Sequence, residues 1–109
     1  MPHFDKIVMS ETYTLTTKRM LYNLFKESFG YLKNFVEKNS ENQVLISEFM
    51  HVLTMNLEYD LGQIDLICEI FRDNIDLINK LDPELVNLFL NLIEHEGRQE
   101  KFLDFFIVI

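Results

Sequence analysis

Apolar residues recur every three or four positions between Met20 and Val36, a spacing that places them on one face of an α-helix. The positions on this face are Met20, Leu21, Leu24, Phe25, Ser28, Phe29, Leu32, Phe35 and Val36. Thr16 or Thr17 is placed to cap the start of the helix. Gly30 lies inside it and costs about 1 kcal/mol relative to alanine, so we expect a neighbouring helix to approach closely there.

Two further helices are predicted in the middle of the chain. Asn39-Ser40 breaks the first pattern, and Ser40 with Gln43 three residues later is a capping-box signature that predicts a helix start. The apolar positions of this second helix are Val44, Leu45, Phe49, Val52 and Leu53, and it should fade between residues 56 and 60. The third helix has the most regular spacing, at Leu61, Ile64, Ile67, Cys68, Phe71, Ile75 and Ile78. A bend is expected at Asp73-Asn74, where two poor helix formers adjoin.

Asp82-Pro83 predicts the start of a fourth helix, with the aspartate as N-cap and the proline in the first turn. Its apolar positions are Leu85, Val86, Leu88, Phe89, Leu92 and Ile93, and Gly97 should end it. A fifth helix is predicted from Gln99 to Ile109. Residues 1–14 lack a clear period and are interpreted as an extended or frayed arm. Residues 15–109 are therefore predicted to form a single all-α domain of about five helices.

The fifth predicted helix is unusually apolar. Phe102, Leu103, Phe105, Phe106, Ile107, Val108 and Ile109 leave little polar surface. Three explanations stay open: the helix packs back on the core, it pairs with a second copy in a homodimer, or the chain belongs to a longer protein whose next helix covers it. The third explanation is favoured and makes the domain a fragment of a longer helical solenoid.

The charge of the chain excludes some partners. It carries 10 Lys and Arg against 18 Asp and Glu, for a formal net charge of −8. Such a chain repels nucleic-acid phosphates and anionic lipids, so no nucleic-acid partner is expected. No apolar run approaches the ~18 residues of a membrane span. Residues 39–71 contain no Lys or Arg; a solvated acidic face is the favoured interpretation, and a docking surface for a basic partner is the alternative.

No residue pattern predicts catalysis, a metal site or a cofactor site. His95-Glu96 is similar to the start of a zinc-protease motif, but Gln99 occupies the place of the second histidine. The segment from Asp73 to Glu84 ends on glutamate as a calcium loop does, yet Ile78 holds the place of the required glycine. Cys68 lies on an apolar helix face and is interpreted as a buried structural thiol; a single cysteine favours a reducing compartment. We therefore expect a protein that is not an enzyme.

A series of short motifs follows between Ser28 and Ile109. They are Tyr31-Leu32-Lys33-Asn34-Phe35, Glu41-Asn42-Gln43, Ile70-Phe71-Arg72-Asp73-Asn74, Leu85-Val86-Asn87-Leu88-Phe89, Ile93-Glu94-His95-Glu96-Gly97-Arg98 and Phe102-Leu103. In this order they resemble the RIH domain, the helical homology domain shared by ryanodine receptors and inositol trisphosphate receptors. The closer similarity is to the inositol trisphosphate receptors.

The resemblance implies an armadillo-like helical repeat on the cytosolic face of a calcium release channel, whose parent protein lies in the endoplasmic reticulum membrane. Such segments are scaffold that helps relay ligand binding to a distant pore. The family binds phosphates with clustered Arg and Lys, and this acidic chain has no comparable cluster, so ligand binding and conduction do not carry over. Among the matched residues, Asn42 and Gln43 are expected to satisfy the free amides of the second helix. Gly97 should end the fourth helix, and Arg98 should bond its last carbonyls.

Two hypotheses of function follow. The leading one is a scaffold segment that packs against neighbouring helical repeats, through residues such as Phe102, Phe105 and Phe106, and relays conformational change. The alternative is a free-standing helical adaptor with a groove between helices that holds a basic or amphipathic peptide. The acidic stretch at residues 39–71 motivates this alternative.

Overall fold

The computed structural model of the protein describes residues 15–97 and 99–109, so the predicted arm at residues 1–14 and Arg98 lie outside the described residues. Within them there are seven α-helices, one short 3-10 helix and no β-strand. The helices are α1 (Leu15–Val36), α2 (Ser40–Ser47), α3 (Met50–Leu53), α4 (Gln63–Phe71), α5 (Ile75–Asn79), α6 (Pro83–Glu96) and α7 (Glu100–Val108), and the 3-10 helix spans Leu57–Tyr59. The predicted all-α fold is confirmed, and the arrangement is consistent with a helical repeat.

Helix α4 is the centre of the fold. Seven of its nine residues are buried, and only Asp65 and Glu69 reach solvent. A helix that is apolar on nearly all sides must be covered on nearly all sides, and α1, α2, α3, α5 and α7 all pack against α4. The buried core therefore follows the α4 axis, with α1 and α7 as its main neighbours.

Seven helices replace the predicted five because two of the predicted helices are each broken once. The predicted bend at Asp73-Asn74 is a complete break between α4 and α5. Asp73 adopts a φ of 55°, which aspartate tolerates better than most residues. The Asn74 side chain then accepts a hydrogen bond from the Leu77 amide at 3.2 Å and caps α5. The second break separates α2 from α3 near Phe49.

The start of α2 differs from the predicted capping box. The N-cap is Asn39, whose Oδ1 accepts a hydrogen bond from the Asn42 amide at 3.0 Å, and Ser40 is already the first helical residue. The predicted apolar face of this helix is also wrong in part. Val44, Leu45 and Phe49 are 46%, 49% and 50% exposed, and the residue that α2 buries is Gln43.

The ends of α6 confirm the predicted signals. Asp82 Oδ1 accepts a hydrogen bond from the Glu84 amide at 2.9 Å, and Pro83 opens the helix. Gly97 ends it with a φ of 88° and donates its amide to the Ile93 carbonyl at 3.0 Å. Both signals are local, so no tertiary contact is needed to place them.

The apolar helix α7 packs back on the core with its aromatic residues. Phe102 and Phe105 are fully buried, whereas Ile107 is 79% exposed. The Phe105 ring stacks on Phe89 of α6 with 4.0 Å between ring centroids. Packing on the core therefore accounts for Phe102 and Phe105. The homodimer through α7 stays a prediction.

Gly30 does not mark a close approach between helices, contrary to the prediction. It lies on the exposed surface of α1, and a Cβ built there would meet no atom within 4 Å.

We expect Gly30→Ala to raise the free energy of unfolding by about 0.5–1 kcal/mol, because alanine lowers the entropy of the unfolded chain and strains nothing in the helix. Urea denaturation measures this change. Gly97→Ala is the control and should destabilise the protein, since the φ of 88° at that position disfavours a side chain.

Candidate functional site

A groove with a volume of about 840 Å³ lies between the α2–α3 segment on one side and the α5–α6 segment on the other. We refer to it as the acidic groove. Its apolar lining consists of Val44, Met50, Phe71, Leu77, Leu81, Leu85 and Leu88. Its charged and polar lining consists of Glu48, Asp76, Asp82, Glu84, His51, Lys80, Ser47 and Thr54. An apolar lining with a few charged groups around it is typical of a binding cleft.

The charges that line this groove are unbalanced. Four carboxylates line it, against one ammonium group and one imidazole. Asp82 already accepts the hydrogen bond from the Glu84 amide that caps α6. Glu84 lies in the first turn of α6, where the helix dipole stabilises its negative charge. The groove therefore presents a negative potential to any ligand.

A second surface lies on the outer side of α1. Met20, Leu24, Tyr31 and Phe35 are 68%, 57%, 71% and 37% exposed. At 100° per residue they fall within about 60° of one another, so they form one apolar stripe along the helix. We refer to these four residues as the α1 stripe. The buried residues Phe25, Phe29 and Val36 are centred about 130° further round the helix, on its inner side, and the apolar face predicted from the sequence combined both sets.

Gln43 joins three elements by hydrogen bonds. The residue is buried, and its Nε2 donates to the Glu69 carbonyl at 2.8 Å and to the Arg72 carbonyl at 3.1 Å. Its Oε1 accepts from Asn74 Nδ2 at 2.9 Å. The side chain thus satisfies carbonyls at the end of α4, which lack helical partners. It does not cap α2, contrary to the prediction.

Asn42 also has a role other than the predicted one. Its Nδ2 donates to the carbonyl of Phe35 at 2.8 Å, in the last turn of α1. Its backbone amide donates a hydrogen bond to Asn39 Oδ1, the N-cap of α2. The Asn42 side chain therefore does not satisfy a free amide of α2, contrary to the prediction. Asn42 therefore ties the start of α2 to the end of α1.

The other predicted interaction residues do not form one site. Gly97 lies at the exposed end of α6, while Phe102 and Phe105 lie in the core. Phe106 is half-buried and makes edge contacts with Phe89 and Phe105. Their positions are those of folding residues. The role predicted for Arg98 falls outside the described residues.

Cys68 is buried in α4, and its environment disfavours a thiolate. Burial, followed by the negative charge of Asp104 and Asp65, raises the pKa of Cys68 from 9.0 to about 12. Among the residues that the structure describes, no three His, Cys, Asp or Glu side chains are grouped so that they could hold a metal ion. Within the same ranges, no helix is long and apolar enough to cross a membrane.

The raised pKa of Cys68 gives a stability prediction in alkaline solution. Above pH 9 the unfolded chain releases the thiol proton, while the folded protein keeps it up to about pH 12. The unfolded state is therefore favoured as pH rises through this window. We expect the stability difference between the wild type and Cys68→Ala to shrink by about 1 kcal/mol between pH 8 and pH 10. Urea denaturation at both pH values measures it, and a constant difference would contradict the shift.

The sequence predicts a groove between helices only as part of the adaptor alternative, and it places the negative charge in residues 39–71. Glu48 is the carboxylate of the acidic stretch 39–71 that lines the groove, and Asp76, Asp82 and Glu84 lie beyond that stretch. The groove lies where α4 stops at Phe71 and α5 begins at Ile75. The available signal was the Asp73-Asn74 pair, which was interpreted as a bend within one helix.

Comparison with known families adds one finding to this geometry. The model of a family described as the RIH domain matches residues 4–109, nearly the whole chain. The match includes every motif noted between Ser28 and Ile109 and also most of the segment before them. No solved structure matches the chain.

Proposed function

Because the chain belongs to the RIH domain family, the homology domain of ryanodine receptors and inositol trisphosphate receptors, we propose that it is a scaffold segment on the cytosolic face of an intracellular calcium release channel. The family associates the chain with calcium release channels of this type. We place it nearer to the inositol trisphosphate receptors, which the motifs between Ser28 and Ile109 resemble more closely than they resemble the ryanodine receptors. The parent protein then lies in the endoplasmic reticulum membrane.

The α1 stripe is the observation that supports a scaffold role. In helical repeat proteins each unit buries its outer helix against the next unit, because one unit cannot cover all of its own apolar surface. The inner side of α1 covers α4, and the stripe on its outer side has no cover among the described residues. A neighbouring repeat that packs on Leu24 and Tyr31 would fill this role.

The packing of α1 supports a relay of motion. At about 1.5 Å per residue, this helix of 22 residues is a long rigid element. It packs on α4, which in turn contacts α2, α5 and α7. A displacement of α1 by its neighbour would therefore move the central helix and the elements on its far side, as packed helices transmit shear.

Agonist-evoked calcium release in cells that produce the full protein tests this function. Leu24→Glu places a charge in the α1 stripe and should reduce the released calcium, because it prevents the neighbouring repeat from packing there. Lys26→Glu changes the charge on the other side of α1 and should leave release at the wild-type level. Thermal unfolding checks that both variants fold. Equal release from wild type, Leu24→Glu and Lys26→Glu would overturn the proposal.

The acidic groove favours a second candidate function, a helical adaptor that binds a basic or amphipathic peptide. This function needs a concave apolar surface with negative charge around it, and the groove between α2–α3 and α5–α6 has both. It needs no neighbouring repeat on α1. The two candidates therefore depend on different surfaces and can be tested separately.

A further inference from the structure

The walls of the acidic groove are two helical surfaces. On the α2–α3 side its lining residues recur at Val44, Ser47, His51 and Thr54. On the α6 side they recur at Leu81, Leu85 and Leu88. Val44 and Ser47 lie three residues apart in α2, and Leu85 and Leu88 lie three residues apart in α6, so each of these helices presents a short ridge of side chains to the groove. A cleft between two such ridges has the shape that accepts a third helix.

Apolar side chains in this groove remain partly open to solvent. Val44 is 46% exposed, and Leu77, Leu81 and Leu88 are half-buried rather than sealed in the core. An apolar ligand side chain placed on them would remove this surface from water, which stabilises a complex in proportion to the area buried. The groove can therefore receive an apolar face.

The charges around the groove determine which charged side chains a ligand should carry beside its apolar face. Glu48 approaches from α2, Asp76 from α5, and Asp82 and Glu84 from the start of α6, so carboxylates line both sides. Against these carboxylates, the lining residues include one lysine, Lys80, and one histidine, His51. A ligand with lysine or arginine next to its apolar face matches this distribution, and an acidic ligand is repelled.

We propose that the acidic groove binds an amphipathic α-helix that carries lysine or arginine beside its apolar face. This inference rests on the adaptor function and deepens it by giving the conformation of the partner and the position of its cationic side chains. A helix is favoured over an extended peptide because a helix satisfies its own backbone groups. The described residues offer no β-strand edge on which an extended peptide could pair.

A labelled model peptide tests the proposal. The probe is a helix of lysine and leucine about four turns long, with leucine on one face. Two matched peptides accompany it: one with glutamate in place of lysine, and one with the lysine and leucine order scrambled so that no apolar face exists. Fluorescence anisotropy with the full chain should show binding of the amphipathic lysine peptide and at least tenfold weaker binding of the other two.

Two pairs of variants locate the site. Val44→Asn should weaken binding about fivefold. Leu45→Asn should not, although Leu45 is the next residue and equally exposed at 49% against 46%, because it does not line the groove. Glu48→Lys should weaken binding by a similar factor, most clearly at low salt. Glu58→Lys makes the same charge change outside the groove and should bind the peptide as the wild type does.

The outcomes separate this proposal from the scaffold function. Equal binding by Val44→Asn and Leu45→Asn, or by Glu48→Lys and Glu58→Lys, means that the peptide sits elsewhere and overturns the proposal. Equal binding of the scrambled peptide overturns it too, since general charge attraction then suffices. Leu24→Glu should bind the peptide normally, so loss of calcium release in that variant and loss of peptide binding in Val44→Asn would be independent results.

Discussion

Replacing Phe105 by alanine should lower the free energy of unfolding by about 3–5 kcal/mol. The ring is fully buried and stacks on Phe89 with 4.0 Å between centroids and 10° between planes. It also makes edge contacts with Phe71 and Phe106, at centroid distances of 6.3 Å and 5.4 Å. Alanine would lose the transfer energy of the ring, leave a cavity between α4, α6 and α7, and remove several aromatic contacts.

Urea denaturation of Phe105→Ala and Ile107→Ala separates the buried from the exposed side of α7. Ile107 is two residues away and 79% exposed, so its truncation should change the stability by less than about 0.5 kcal/mol. Phe105→Leu should lie between the two, because leucine fills part of the cavity. If Phe105→Ala and Ile107→Ala lost the same stability, α7 would not be docked on the core.

The sequence predicts the fold where a local interaction decides the structure. Asp82 and Pro83 determine the start of α6 through one side-chain bond and one fixed backbone angle, and Gly97 determines its end through a positive φ. These effects act within about one helical turn, so residues near in sequence contain all the necessary information. The all-α class follows from the same signals combined with helical periodicity.

Tertiary packing decides the features that the sequence did not reveal. The sequence predicts that Gln43 belongs to a local capping box, yet the partners of its side chain lie 26 to 31 residues away, at the end of α4 and the start of α5. A glutamine three residues after a serine has the same local pattern whether it caps its own helix or bonds a distant carbonyl. Its burial, which the sequence does not show, is what decides between the two.

The α1 stripe and the acidic groove likewise depend on burial that the sequence does not show. Met20 and Phe25 are both apolar and lie within two turns of each other on α1, yet one is 68% exposed and the other 7%. Periodicity finds the apolar arc of a helix but not the part of the arc that α4 covers. The acidic groove is lined by residues of α2, α3, α5 and α6, and local sequence patterns do not determine how these helices are arranged. Both surfaces could therefore be identified only from the folded chain.

Gln43→Ala should lower the free energy of unfolding by about 3–5 kcal/mol, more than an ordinary polar substitution. The change leaves the Glu69 and Arg72 carbonyls and the Asn74 amide without their hydrogen-bond partner. The bond to Asn74 is buried and the bonds to the two carbonyls are partly buried, and each polar group left unpaired there costs about 1–3 kcal/mol. The loss would fall at the junction where α2 meets the end of α4 and the start of α5, so hydrogen exchange should rise in α2 and α5 before it rises in α7.

Asn42→Ala is the matched control for this junction. Asn42 adjoins Gln43 in the first turn of α2, but its side chain makes one exposed hydrogen bond, to the carbonyl of Phe35. Water can replace that bond, so the expected loss is about 0.5–1.5 kcal/mol. Urea denaturation compares the two variants, and hydrogen exchange locates the effect. Equal losses for Gln43→Ala and Asn42→Ala would mean that the buried bonds of Gln43 do not hold α2 against α4.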